Sequence, residues 1–473
     1  SGRKRLLSRE LDILLEWFCT YSMSSTPSTP VPTSLKLKHW LLKRIQKPRR
    51  TPLPEVRAGA GAATRELGGI VRALGMRKPL VVSDAMLVEL GLVDKCTAGL
   101  ARAGLDFALF CEVVPNPPVR QVEAGFRRYV DEGCDGLIAI GGGSPMDCCK
   151  IIGAKVMDGG AKAVEEYCGA FKVAGRTSSR AAVEKRKSYP PLVAIPTTAG
   201  TGSETTLAAV ISFPEKQLKL TISDAAIIPK VAILDPEVTV SLPPHITAAT
   251  GMDALTHAVE SYLSQWRSPF TAYYSLRAVE KIGGYLEECY RNPSNLVARE
   301  MMLRASYQAG VAFTRTAVGY VHAVAHTLGA HFHTPHGVAN AMVMPHVLDF
   351  YLEGDDALID QLCDLAVAIG IGAEHPGSYA SPASKRRLAR AFVARVRQMN
   401  ANMGVPSCVN NMTEADVDRV VDRALTESHG EGRSFDLFDF GYPTPRYMER
   451  ADMVKVVRSI LPGVSAAAGA ARL

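Results

Sequence analysis

The sequence predicts a two-part chain, an α/β half built on a parallel sheet followed by an all-helical half, and three patterns carry that reading. Short apolar runs alternate with helical stretches from about Thr51 to Pro236, and long segments of helical period take over from Ser241. Six of the eleven histidines crowd between His322 and His346. The expected divisions are a leader over 1–50, an α/β domain over 51–240 and a helical domain over 241–473.

In the first part, PLVVSD (79–84), FALFCEVV (107–114), GLIAIGG (136–142), PPLVAIPTT (190–198) and VAILDP (231–236) read as buried strands. The run from Gly136 to Ile140 ends in Gly141, Gly142 and Gly143, after which Ser144, Pro145 and Asp147 fit the N-cap, N1 and N3 positions of a helix. Glycines let a phosphate approach the backbone, and the helix start adds free N–H donors and a positive dipole end. Met146 stands where the last glycine of G-x-G-x-x-G would, so the ordinary fingerprint is absent. A second loop, IPTTAGTGSETT from Ile195 to Thr206, leaves the next strand dense in small hydroxyl residues. Two such loops after successive strands point to a Rossmann-like dinucleotide site rather than to two solvated turns.

In the second part, HITAATGMDALTHAVESYLSQ (245–265), LVAREMMLRASYQAGVAF (296–313) and ASKRRLARAFVARVRQM (383–399) carry helical periodicity. Asp253 with His257, and His322 with His326, are i,i+4 pairs, so each projects from one helix face. Either pair alone is ordinarily structural. Together, imidazole nitrogens and a carboxylate suit Fe(II) or Zn(II), with a position left open for a substrate oxygen. An alcohol bound to such a cation loses its proton readily, and the alkoxide can then pass a hydride to a nicotinamide held against it.

GGGSPMDCCK, PTTAGTGSETT, LDPEVTVSLP, ATGMDALTHAVESY and VGYVHAVAHTLGAHFHTPHGVANA together resemble the iron-containing, or group III, alcohol dehydrogenase family, from about Pro52 to about Pro462. The resemblance implies the dehydroquinate synthase-like architecture, an NAD-binding domain followed by an all-α metal-binding domain, and a homodimer. It implies iron, with zinc as the alternative, on Asp253, His257, His322 and His336, and a proton-transfer role beside the nicotinamide for His326. For NAD it implies Gly142, Gly143 and Ser144 at the pyrophosphate, and Thr197, Thr198, Thr201 and Thr206 around ribose and nicotinamide. Lys219 falls near the ribose hydroxyls and Asn116 over the adenine side. Asp84 falls at the position facing the adenosine ribose, where a carboxylate accepts from a 2′-hydroxyl and repels a 2′-phosphate, so NAD is expected over NADP. Capping of the following segment AMLVELGLV is compatible with that role. His331 and His333 are left as loop or surface residues, and His346 without a chemical role.

The activity implied is hydride transfer between NAD(H) and a small primary alcohol/aldehyde pair. Alternatives on the same scaffold are a 4-hydroxybutyrate-type hydroxyacid dehydrogenase, for which Arg267 or Arg315 would be the carboxylate partner, and a lactaldehyde or diol dehydrogenase. A non-catalytic structural homologue is a further alternative, against which the complete ligand set argues.

At 473 residues, 47% hydrophobic and 21% charged, the chain can bury a large core. No apolar run approaches the ~18 residues of a membrane span. The formal charge of +7 raises nucleic acid as a partner, but eleven Lys and Arg and only three acidic residues lie in 1–50, so the excess belongs to the leader. No basic patch is interleaved with aromatics for base stacking. The leader joins an amphipathic segment (6–18), a Ser/Thr/Pro linker (22–34) and a basic amphipathic segment (35–45), and fits a transit peptide, a helical brace or a tail. Ten cysteines without C-x-x-C suit a reducing compartment. The expected location is the cytoplasm, or the mitochondrial matrix if the leader is a transit peptide.

Overall fold

The computed structural model describes residues 51–174, 188–216, 218–372, 381–430 and 441–463. The leader and its two amphipathic segments fall outside them. The strands are β1 (Glu55–Ala58), β2 (Pro79–Val82), β3 (Ala108–Phe110), β4 (Gly136–Gly141), β5 (Gly169–Ala170), β6 (Leu192–Pro196), β7 (Ala208–Phe213), β8 (Leu218–Ser223) and β9 (Val231–Leu234). Six of them make one parallel sheet in the order β1-β9-β6-β4-β2-β3, and β5-β8-β7 make a second. β2, β4, β6 and β9 are buried along their whole length. Buried on both faces, they read as unbroken apolar runs rather than as alternation.

Chain order reverses between β2 and β4. From β2 the chain moves outward to β3, and from β4 it moves the other way to β6 and β9. At such a switch point the strand ends leave a crevice, the place where open α/β sheets bind ligands. Asp84 follows β2 and Gly142 to Ser144 follow β4, so the sequence-predicted residues stand on its two lips.

The first part is completed by α1 (Ala62–Ala73), α2 (Ala85–Glu89), α3 (Leu92–Arg102), α4 (Val119–Asp131) and α5 (Gly143–Asp158). Three local expectations are revised. AMLVELGLV is split between α2 and α3 by Gly91, at φ 68, a left-handed conformation that glycine takes without penalty. FALFCEVV yields only the short β3. The helix after β4 begins at Gly143 with Gly142 as N-cap, so Ser144 and Asp147 do not cap it. Their side chains are drawn into long-range contacts: Ser144 Oγ accepts from Asn116 N, and Asp147 accepts from Ser203 Oγ and Val210 N.

The second part holds α6 (Pro244–Leu263), α7 (Pro269–Arg291), α8 (Leu296–Thr316), α9 (Tyr320–Phe332), α10 (His336–Tyr351), α11 (Asp356–Ala368), α12 (Pro382–Asn402), α13 (Val417–His429) and α14 (Arg450–Arg458). Proline opens α6 and α7, and Ser268 and Asn295 cap α7 and α8 by accepting from Thr271 N and Ala298 N. From Thr247 onward α6 is buried on nearly every face. Its Leu255, Val259 and Leu263 join one core with Ile282, Leu286, Val343, Phe392 and Val420. Ionisable groups on such a helix need partners or a ligand. At Gly337 a β-carbon would come within 2.2 Å of the Ala249 carbonyl oxygen, so the start of α10 rests on the backbone of α6. Among the described residues no helix is long and apolar enough to cross a membrane, and the nine cysteines are all free.

Candidate metal centre and cofactor cleft

Three helices converge on one point. α6 supplies Asp253 and His257 one turn apart, α9 supplies His322 and the first turn of α10 supplies His336. Asp253, His322 and His336 offer ligand atoms that all lie within 4.8 Å of one another. His322 Nε2 and His336 Nε2 stand 3.8 and 3.4 Å from Asp253 Oδ1. His257 joins through His322, with the two Nε2 atoms 3.1 Å apart, and its ring stacks on Phe313 at 4.0 Å. Burial pulls His257 and His322 below the ordinary imidazole range, and the surrounding protein pushes His336 down to about 4. All three are therefore neutral near pH 7, with lone pairs available to a metal.

Two residues that the sequence reading missed organise this set. Glu260, three residues beyond His257 on the same face of α6, accepts from Gly319 N (2.7 Å) and Val321 N (2.8 Å) and meets His322 Nδ1 at 2.6 Å. Burial pushes its carboxyl up to about 7. The contact places a proton on Nδ1 and leaves Nε2 facing Asp253, as carboxylates do behind metal-bound histidines. The signal was present in the sequence, since 253, 257 and 260 follow one helical stripe. Asn340 of α10 is fully buried, and its Nδ2 reaches Asp253 Oδ1 (2.7 Å), His322 Nε2 (3.2 Å) and His336 Nε2 (3.2 Å). Its Oδ1 has no partner among the described residues. The two hydrogens of the amide cannot serve all three atoms, and a carboxylate oxygen and two imidazole nitrogens gathered about one point fit a divalent metal.

His326 is half exposed beside this centre, its ring stacked on His336 at 5.3 Å and 15°. Its Nδ1 meets Glu427 Oε1 at 2.6 Å. Burial pulls its pKa down, but the Glu427 carboxylate more than offsets this, and the net shift is upward. His331 and His333 are exposed at the end of α9, as expected.

On the sheet side, the two loops after β4 and β6 pack together. A β-carbon on Gly142 would meet Thr198 Oγ1 at 3.3 Å, and one on Gly143 would meet Thr201 Cγ2 at 3.0 Å. Thr197 N donates to Gly141 O. Asn116, held at φ 56, accepts from Lys219 Nζ (2.8 Å) through Oδ1 and donates through its backbone to Ser144. Asn116, Ser144 and Lys219 are thus one cluster, and the Lys219 charge also bears on His326 and His336. Asp84 caps α2 by accepting from Leu87 N.

Thr206 is placed differently from its neighbours. It is buried, with its hydroxyl engaged by Lys150 Nζ at 3.0 Å. Lys150, which the sequence reading passed over, has no exposure and donates also to Ser203 Oγ, Thr206 O and Ala208 O. The carboxylates of Asp147 and Glu204 favour its charge, yet burial brings it down to about 8, while Glu204 is pushed up to about 7. This strut ties the phosphate-loop helix to the second loop from beneath. Arg315 donates to Val311 O and Thr51 O, and Arg267 packs over the Tyr262 ring, so both arginines are engaged by groups outside the histidine cluster.

Comparison with known proteins shows which family the chain falls in. Residues 54–236 match the iron-containing alcohol dehydrogenase family model, and residues 247–461 match the C-terminal model of the Fe-containing alcohol dehydrogenase family. The chain is 35% identical to an NAD-dependent methanol dehydrogenase of Bacillus methanolicus over 77% of its own length and 90% of that protein. It is 36% identical to a lactaldehyde reductase of Escherichia coli K12, over 74% and 84% respectively. A crystal structure of 1,3-propanediol oxidoreductase superposes with a TM-score of 0.75 at 32% identity, covering 86% of this chain and 98% of that one. The chain belongs to the iron-containing alcohol dehydrogenase family.

Proposed function

We propose that the chain interconverts small primary alcohols and aldehydes with NAD(H) as hydride carrier and Fe(II) as resident metal, residues 51–240 holding the cofactor and 241–473 the metal. The observation that carries this reading is the convergence of Asp253, His322 and His336, with His257 behind them, beside the cluster of Lys219, Asn116 and Ser144. Asp253, His257, His322 and His336 would hold the metal, which when bound supplies the positive charge that favours alkoxide over alcohol. Glu260 fixes the tautomer of His322. Gly142 and Gly143 leave room for a pyrophosphate at the start of α5, and His326 exchanges the alcohol proton with solvent. The engagement of Arg267 and Arg315 elsewhere favours an uncharged alcohol or diol over a hydroxyacid. Pairing of two chains into a homodimer belongs to the same proposal.

The test is an anaerobic screen of metal-stripped protein, reloaded separately with Fe(II) and Zn(II), against short alcohols, diols and hydroxyacids with NAD and NADP. Turnover of a primary alcohol or diol with Fe(II) and NAD is expected. Absence of turnover with every metal and substrate would overturn the reading.

The same assay checks cofactor choice. A carboxylate about 4 Å from a 2′-phosphate costs about 4 kcal/mol at an effective dielectric of ~20, before screening. A quarter of that is about a fivefold preference for NAD. Asp84→Asn keeps an acceptor for Leu87 N but removes the charge, so it is expected to raise kcat/KM with NADP about fivefold or more, with little change for NAD. An unchanged ratio would reduce Asp84 to a helix cap.

A further inference from the structure

Glu427 stands 101 residues from His326 in sequence, yet its Oε1 is the partner of His326 Nδ1. The same oxygen accepts from the Tyr442 hydroxyl, so the carboxylate is held from two sides. The far side of the ring is different: Nε2 of His326 has no hydrogen-bond partner among the described residues, and 43% of the side chain is exposed. One nitrogen is therefore anchored and the other is offered to the cleft, against the face of His336 and within the field of Lys219. An ordinary surface ion pair has neither a second donor locking the carboxylate nor a free ring nitrogen on a ring stacked against a candidate metal ligand, and it contributes little.

We propose that Glu427 is a positioning residue for the proton transfer, keeping the proton on Nδ1 of His326 and the lone pair of Nε2 directed into the cleft, with Tyr442 fixing the carboxylate. The proposal rests on the alcohol dehydrogenase reading. During oxidation the O–H bond of the alcohol breaks and its proton ends on His326 Nε2. The carbinol C–H bond breaks with its electron pair, which moves as hydride to C4 of the nicotinamide, and the C=O bond forms. Glu427 takes no proton. It faces the imidazolium as a carboxylate, and reduction runs the same steps backward. The logic is that of an acid orienting a catalytic histidine, where the wrong tautomer removes the acceptor without disturbing the fold.

The experiment compares iron-loaded wild type, Glu427→Gln and Glu427→Asp. An amide can donate to Nδ1 and so move the ring proton to Nε2. Glu427→Gln is expected to lower kcat on the order of 10²-fold, with KM for the alcohol, iron content and NAD affinity within about threefold. Glu427→Asp keeps the charge and should recover part of the loss. A readout independent of turnover is carbethoxylation of His326 at mildly alkaline pH, followed by peptide mass spectrometry. Attack by Nε2 should be several-fold slower in Glu427→Gln. Slower modification of Glu427→Gln, alongside a wild type that proves to have no dehydrogenase activity, would retire the enzymatic reading and leave the oriented imidazole standing. Activity and modification rate both within twofold of an active wild type would overturn the proposal.

Discussion

Replacing His336 with alanine is expected to give a protein that folds and binds NAD but holds no metal and shows no measurable turnover. The choice of residue matters. Asp253 and His322 are buried, so their removal would also disturb the core. The side chain of His336 is 42% exposed at the first turn of α10, and its loss removes a ligand with little packing. Losing the several kcal/mol that a metal supplies to a developing alkoxide lowers the rate by about 10³-fold or more. Metal analysis after dialysis, NAD titration by fluorescence and kcat together check the result. Full metal occupancy with normal turnover would remove His336 from the ligand set.

Lys150→Met is expected to have the largest effect on stability. The methionine keeps most of the volume, but the ammonium's hydrogen bonds to Ser203, Thr206 and Ala208 vanish and Asp147 and Glu204 lose their cation. Removing one partner from a buried charged group costs about 3–5 kcal/mol. The sign of the pH dependence follows from Glu204. Its carboxyl is raised in the fold, from an ordinary value of 4.5 to about 7, so its favourable contribution is complete below 4.5 and is lost as pH rises through 7. At pH 5.5 the folded carboxyl is mostly neutral and has little need of Lys150. At pH 7.5 it is mostly ionised, so the deficit of the variant should be larger there. Melting curves at the two pH values measure this, and a midpoint within about 2 °C of wild type at both would show that the strut is dispensable. NAD affinity should fall as well, because the strut joins the two loops that flank the cofactor crevice.

The sequence was most legible where chemistry and periodicity coincide. β2, β4, β6 and β9 announce themselves because a parallel strand buried on both faces must be apolar throughout. The four proposed metal ligands sit in short motifs, and three of them, Asp253, His257 and His322, belong to i,i+4 pairs that do lie on helices. What stayed hidden depends on packing between distant segments. Nothing local links Glu427 to His326, or Lys150 to Ser203 and Thr206. Ser144 and Asp147 look like helix-capping residues until Asn116, Ser203 and Val210 compete for them. Glu260 lay in plain view on the Asp253 stripe, but its function appears only when α9 brings the Gly319 and Val321 amides against it.

The backbone contact at Gly337 gives the centre a directional compliance. α10 lies so close to α6 at Gly337 that not even a β-carbon would fit against the Ala249 carbonyl, so the separation of His336 from Asp253 resists compression. α9 is tethered to α6 by hydrogen bonds to the Glu260 carboxylate, which stretch and bend far more softly than overlapping atoms yield. A change in ionic radius, as between Fe(II) and Zn(II), would therefore be absorbed mainly by displacement of His322 along with its helix, while the edge formed by Asp253 and His336 keeps its length.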